Sequence, residues 1–323
     1  MTSVASQAAN KITSVKSEYP VVGVIGAGQL ARMMIGPATA LGIKLIPFAS
    51  SNEDSAAQVT HCVIGDYKDL EAVKKFAQQC DIVTFEHELV PLSVIKALEV
   101  AGVRVRPGSE TLEHSRQKKN TADSIDFDYE IAVLVARSPH AQATTWAPTH
   151  VVKSDGICTM TITPVPHMST QMNEQAQKIA LDTAAEVKLI GVMEVQILVK
   201  NEELLVNKLV MHPSTSGYWS IDASRTSQFE QHLRAILDLP LGDPSMTNDY
   251  AVMGNIVGKN KTDMYRPYLH LMARNPSLKF HMYSKQVRPG LEVGHINAFG
   301  KDLAELQSEI EHAVDYMSGE IDE

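Results

Sequence analysis

Val21, Val22, Gly23, Val24 and Ile25 form an unbroken apolar run, the pattern of a strand covered on both faces. The turn Gly26-Ala27-Gly28-Gln29-Leu30-Ala31-Arg32-Met33 leads from it into an apolar helix. Residues 44–48, 63–64 and 82–85 repeat the strand pattern, with a helix over 69–79 between the last two. Strands alternating with helices over the first ~105 residues predict a parallel, doubly wound α/β sheet. The pattern then changes. Residues 131–136 read as a strand, and 172–187 as an amphipathic helix with Met172, Ala176, Ile179 and Thr183 on one face. Residues 192–199 and 204–210 flank Lys200-Asn201-Glu202-Glu203, a hairpin signal. Residues 230–237 and 265–273 predict helices, and 278–283 a strand. Asp302 with Glu305 resembles a capping box, opening a helix with Leu303, Leu306, Ile310, Val314 and Met317 as its stripe. An antiparallel α+β unit therefore follows the parallel one.

Composition narrows the function classes. The chain has 323 residues, 44% apolar and 21% charged, the balance of an ordinary globular protein of about two domains. A formal charge of −9 argues against an extended nucleic-acid surface, and no apolar run reaches the ~18 residues of a membrane span. Cys62, Cys80 and Cys158 are odd in number and widely spaced, which fits a reducing cytoplasm better than a disulfide framework. Residues 1–18, polar and rich in small side chains, read as a disordered leader. The 12 histidines show no metal-ligand spacing, and the 14 methionines read as core filler. Asp54 and the acidic stretch 302–311 read as solvated faces.

The glycine turn is the first candidate for chemistry. Gly26 and Gly28 before a helix fit a phosphate cradle, or equally a tight strand-to-helix turn. A dinucleotide site also wants an acid at the end of the second strand, where Ala49-Ser50-Ser51 stands with Glu53 and Asp54 beyond. Glu86-His87-Glu88, if extended, sends the two acids to one face and His87 to the other. Glu130, at a strand start, is open to a structural or a ligand role.

Several longer matches carry a family resemblance. The turn from Gly26 through Met34, Asp54-Ser55-Ala56-Ala57-Gln58-Val59 and Thr84-Phe85-Glu86-His87-Glu88 are similar to the N-terminal domain of the 5-(carboxyamino)imidazole ribonucleotide synthase family, PurK, and to its actinobacterial members in particular. Thr226-Ser227-Gln228-Phe229-Glu230-Gln231-His232-Leu233-Arg234-Ala235, Leu239-Pro240-Leu241-Gly242, Lys285-Gln286-Val287-Arg288-Pro289-Gly290 and Gly294-His295 resemble its C-terminal half. The resemblance implies a pre-ATP-grasp domain over 19–108, an ATP-grasp core over 129–258 and a small β-rich subdomain over 259–323. It also implies ATP and Mg2+ as cofactors, bicarbonate and aminoimidazole ribonucleotide as substrates, and a homodimer. Gly26, Gly28, Gln29, Leu30, Glu86, Asp155, Lys285 and Arg288 match ribonucleotide positions, and Lys118, Glu130, Lys153, Asn207 and Lys208 match ATP positions.

Several departures stand against that pattern. The family's central ATP-binding subdomain is missing after Asn120, and a connection over 109–128 takes its place. The two acidic magnesium ligands are Gln196 and Lys208 here, so no metal is expected at those positions. The loop that reads Arg-Pro-His-Asn-Ser-Gly in the family is His212-Pro213-Ser214-Thr215-Ser216-Gly217, with His212 at the arginine position. The polar-basic pair before Asp155 is Lys153-Ser154, and Leu291-Glu292 replaces Arg-Lys after Gly290. The sequence thus leaves open a ligase of weak or altered activity, a degenerate homologue that binds ribonucleotide or a partner, and an NAD-dependent oxidoreductase.

Overall fold

The structure, a computed structural model, describes residues 19–117, 126–259 and 261–321. The first unit holds β1 (Val21–Ile25), α1 (Gln29–Ala40), β2 (Lys44–Ala49), β3 (Val63–Ile64), α2 (Leu70–Ala77), β4 (Ile82–Phe85), α3 (Leu92–Val100) and α4 (Ser109–Gln117). The strands pair in parallel in the order β3-β2-β1-β4, as the alternating pattern required. Asp69 accepts the N–H groups of Glu71 and Ala72 and so caps α2, whose Val73, Phe76 and Ala77 face the core. The segment 109–128, read from sequence as a connection, begins with α4, which Arg116 ties down by donating to the carbonyls of Glu88 and Val90.

The second unit contains β5 (Tyr129–Arg137), β6 (Ala143–Thr145), β7 (Thr149–Ser154), β8 (Ile157–Thr163), α5 (Thr170–Glu186), β9 (Gly191–Lys200), β10 (Glu203–Val210), α6 (Ser220–Ala223), α7 (Gln228–Ile236) and β11 (Tyr250–Val257). It continues through α8 (Pro267–Arg274), β12 (Lys279–Met282), β13 (Glu292–Gly300) and α9 (Leu303–Ser318). One nine-stranded antiparallel sheet runs β10-β9-β5-β7-β8-β11-β13-β12, with β6 on β5, so the last strands extend the same sheet. Asp302 caps α9 through the Glu305 N–H at 3.1 Å, and Gly319, at φ 77°, ends it in the left-handed region.

Strand alternation divides the sheet into two faces. Ile131, Val133, Val135, Met193, Val195 and Ile197 meet α5 and also Val73, Phe76, Ile95 and Leu98 of the first unit. Leu134, Ala136 and Val192 turn the other way, toward Phe229, Leu233 and Ile236 of α7 and Ala31, Met34 and Ala38 of α1. Both cores therefore cross from one sheet to the other. His232, fully buried on α7, joins them directly: its Nδ1 accepts the Val192 N–H at 3.1 Å, and its Nε2 lies 2.8 Å from Thr84 Oγ1 on β4. Gly191, at φ 127°, lets the ring approach, since a Cβ there would lie 3.0 Å from it.

Candidate functional site

The strand order reverses between β1 and β4, and open α/β sheets bind ligands in the crevice beyond the strand ends at such a point. The glycine turn lies there. The positive end of α1 does face an anion, but the anion is the chain's own Glu86, six per cent exposed at the end of β4. Its Oε1 accepts the Gly28 N–H and its Oε2 the Ala31 N–H at 2.9 Å. Gly26 has φ 108°, and a Cβ there would fall 2.5 Å from Glu86 Cγ. The glycines therefore make room for a carboxylate. The run Glu86-His87-Glu88 is a bend; Glu88 accepts the Met211 N–H at 3.1 Å, and His87 packs on Tyr67 at 5.0 Å between ring centres. A cavity of about 280 Å³ opens here, lined by Phe48, Asp54, Tyr67, Glu86, His87 and Lys285 among others. A larger groove, about 980 Å³, opens beside Val21, Lys44, Arg104 and Leu239, away from these residues.

Glu292, at the start of β13, stands beside Gln29 and acts on Lys285. It accepts from Gln29 Nε2 at 3.2 Å and from Asn255 Nδ2 at 3.1 Å. Burial raises the Glu86 and Glu292 carboxyls above their ordinary range, and burial likewise lowers Lys285, which both carboxylates pull back up. The Tyr218 hydroxyl bonds to the Gln29 side chain and to Tyr283, whose hydroxyl lies 2.7 Å from His295 Nδ1. Behind them Asp222 Oδ2 accepts from Asn297 Nδ2 and pairs with His281 Nε2, each at 2.7 Å. Of the other residues matched to ribonucleotide, Leu30 is partly buried on α1, and Asp155, at φ 52°, sits on the exposed β7–β8 turn. Arg288 is exposed and donates to Gln286 Oε1 at 2.5 Å.

The residues matched to ATP gather on the facing sheet. Glu130 is buried and paired with Lys153 at 2.7 and 2.8 Å, so these two satisfy one another. On the hairpin, Gln196 lies opposite Lys208, and a register shift between Val206 and Lys208 leaves buried Asn207 at the irregularity. Lys118 lies outside the described residues. Sequence alone did not single out Glu194, although a lone acid in the apolar run 192–199, at the same parity as Gln196, was a usable signal. Its Oε1 accepts from Gln196 Nε2 at 2.6 Å, and its Oε2 accepts both the Ser214 and Ser216 hydroxyls. Gln228 grips the same loop, accepting the Ser214 N–H at 2.9 Å and donating to the Ser214 carbonyl at 2.7 Å. His212 has Nδ1 2.7 Å from the Pro213 carbonyl, and burial pushes its pKa down, so the arginine position holds a neutral imidazole at pH 7. Cys158 on β8 feels Glu194, Glu292, Lys153 and Glu130 at once, and burial raises its thiol to about 12.

Magnesium takes hard oxygen ligands, and of Gln196 and Lys208 only the Gln196 carbonyl oxygen is one. The Gln196 amide is turned to Glu194, the Glu194 oxygens already accept three hydrogen bonds, and the Lys208 ammonium is a donor only.

Comparison with known proteins gives three family matches along the chain: a ribonucleotide synthetase preATP-grasp domain over 20–116, an ATP-grasp domain over 102–229, and a phosphoribosylaminoimidazole carboxylase C-terminal domain over 251–309. The N5-carboxyaminoimidazole ribonucleotide synthase of Mycobacterium tuberculosis H37Rv is 34% identical over 396 positions, covering 98% of this chain and 92% of that protein. The chain belongs to the N5-carboxyaminoimidazole ribonucleotide synthase family. The Corynebacterium ammoniagenes synthase is 29% identical, with 92% of each chain covered. The synthetase structure from Thermus thermophilus superposes with a TM-score of 0.82 at 24% identity, covering 94% of this chain and 99% of its own. The Aspergillus clavatus synthase, in complex with ADP and 5-aminoimidazole ribonucleotide, gives 0.84 at 23% identity, covering 93% and 99%. The 396 positions of the mycobacterial alignment exceed the 323 residues present, so at least 73 of them have no counterpart in this synthase-family chain. No helix among the described residues is long and apolar enough to cross a membrane.

Proposed function

We propose that this chain binds an aminoimidazole ribonucleotide in the crevice between β1 and β4, and that it does not carry out ATP-dependent carboxylation at the rate of a working ligase. The observation that carries this reading is the side-by-side placement of Gln196 and Lys208 on the hairpin. Phosphoryl transfer depends on stabilising negative charge as it develops on the transferring group. Metal ligands, arginine and half of the nucleotide clamp are replaced together, while Glu86 and Lys285 still line the crevice and Gln29 stands next to the glycine turn, bonded to Glu292. The Aspergillus clavatus relative, described with ADP and 5-aminoimidazole ribonucleotide, supports the choice of ligand. In this reading Gly26, Gly28, Gln29, Leu30, Glu86, Asp155, Lys285 and Arg288 serve the ribonucleotide. Glu130, Lys153, Asn207, Lys208 and Lys118 are remnants of the ATP side. A cytoplasmic homodimer is the form that the family resemblance supports.

The deciding assay is ADP release by the purified protein with magnesium, ATP and bicarbonate, with and without aminoimidazole ribonucleotide. No stimulation by ribonucleotide, beside saturable ribonucleotide binding in a parallel titration, is the expected result. Stimulated ADP release would mean that the family reaction survives and that another group replaces the metal. The double replacement Gln196→Glu/Lys208→Glu is expected to leave turnover absent, because it restores carboxylates but not the clamp; ligase-level turnover in that variant would refute the argument.

A further inference from the structure

We propose that the crevice recognises the base and ribose of its ligand and gains little from the 5′-phosphate, with Glu292 as the residue that sets this preference. The inference rests on the ribonucleotide reading above and specifies what that site selects. A bound phosphate needs cations or backbone N–H groups that the protein has not already neutralised. Here the N-terminus of α1, the loop after β2 and Lys285 each face a carboxylate of the chain itself, and Arg288, bonded to Gln286, is not among the residues lining the cavity. The N-terminus of α1 gives its Gly28 and Ala31 N–H groups to Glu86. The loop after β2 gives the Ser50 and Ser51 N–H groups and the Ser50 hydroxyl to Asp54 Oδ2, at 2.8, 3.2 and 2.9 Å. Lys285 is the cation among the described residues lining the cavity, and Glu86 and Glu292 both act on it. The Gln29 amide is spent on Glu292.

Charge gives the same answer. Glu53, Asp54 and Glu86 line the cavity against Lys285. Were Glu86 and Glu292 both protonated, the two acids Glu53 and Asp54 would still outnumber that lysine. A phosphate monoester bears about −1.5 to −2 at neutral pH and meets net repulsion there. What the cavity does offer suits an uncharged ligand: acceptors for ribose hydroxyls and ring amines on Glu53 and Asp54, and the packed rings of Tyr67 and His87.

The test is calorimetric titration of the full chain with 5-aminoimidazole-4-carboxamide ribonucleoside and, separately, its 5′-monophosphate. The two dissociation constants are expected to lie within about threefold of each other. In Glu292→Lys the monophosphate is expected to tighten by roughly tenfold while the nucleoside changes little, since only the phosphate gains a cation. Glu292→Gln, which keeps a side-chain oxygen for Gln29 and Asn255, is expected to shift the ratio the same way by a smaller factor. A wild-type preference for the monophosphate of about tenfold or more would overturn the proposal and leave the ribonucleotide reading standing. An unchanged ratio in both variants would remove Glu292 as its cause. Binding of neither probe would overturn the ribonucleotide reading and this inference with it.

Discussion

Gly26→Ala is expected to cost about 3–9 kcal/mol of folding stability and to abolish ligand binding in the crevice. Two costs add. At φ 108° a residue with a Cβ is strained, at about 1–3 kcal/mol. The new methyl would also fall 2.5 Å from Glu86 Cγ and 2.6 Å from Oε1, so the carboxylate must move from its place at the end of α1. Pushing Glu86 aside frees the N–H groups of Gly28 and Ala31 in a buried setting, at about 1–3 kcal/mol each when nothing replaces the bond. Urea unfolding measures the total, and a loss under about 1 kcal/mol would show that the turn relaxes around the methyl. Gly36→Ala is the control: the site lies on α1 with no atom within 4 Å of the added carbon. There a gain of about 0.5–1 kcal/mol is expected from helix propensity alone.

The second large effect is loss of stability in mild acid, centred on His232. Burial pushes this imidazole down to about 3, and the Val192 N–H already aims into Nδ1, where a second proton would have to sit. The unfolded chain takes up a proton near pH 6.5, whereas the folded chain resists until about pH 3. Stability is therefore complete above the unfolded pKa and drains away as pH falls below it. The slope is up to about 1.4 kcal/mol per pH unit for each such histidine. His295, fully buried and held neutral by burial, adds in the same direction. Glu86 and Glu292 act oppositely, because burial raises them and their protonation favours the folded state. Urea unfolding free energies at pH 7.5 and pH 5 should differ by about 2–4 kcal/mol, the two acids drawing it toward the lower figure. His232→Gln should shrink that difference while lowering stability at pH 7.5. A midpoint that ignores pH over this interval would remove His232 from the account.

The parallel sheet, the hairpin and the capped final helix were legible because each rests on local rules: apolar runs, a polar four-residue turn, and Asp302 ahead of a stripe. The β7, β8, β11 and β13 strands were not, since buried polar side chains such as Thr161, Asn255 and Asn297 interrupt the apolar pattern that marks a strand. Much of the crevice could be named in advance, through Gly26, Gly28, Gln29, Glu86 and Lys285. What the sequence concealed was who satisfies whom. The helix terminus that reads as a cradle for a ligand is filled by Glu86, an acid 58 residues downstream of Gly28. Likewise, Glu194 draws its partners from Gln196, Ser214 and Ser216, and only the tertiary fold brings the serines to it.

The cores that cross between the two sheets bear on how freely the chain between α4 and β5 can vary. Leu112, on α4, and Ile131, on β5, belong to the same buried cluster. Both ends of that connection are therefore anchored in common ground. A connection of any length would start and finish against one core, and adding residues to it costs only a slowly growing loop entropy. The stretch between α4 and β5 is thus a place where relatives can differ in length while the two units stay joined.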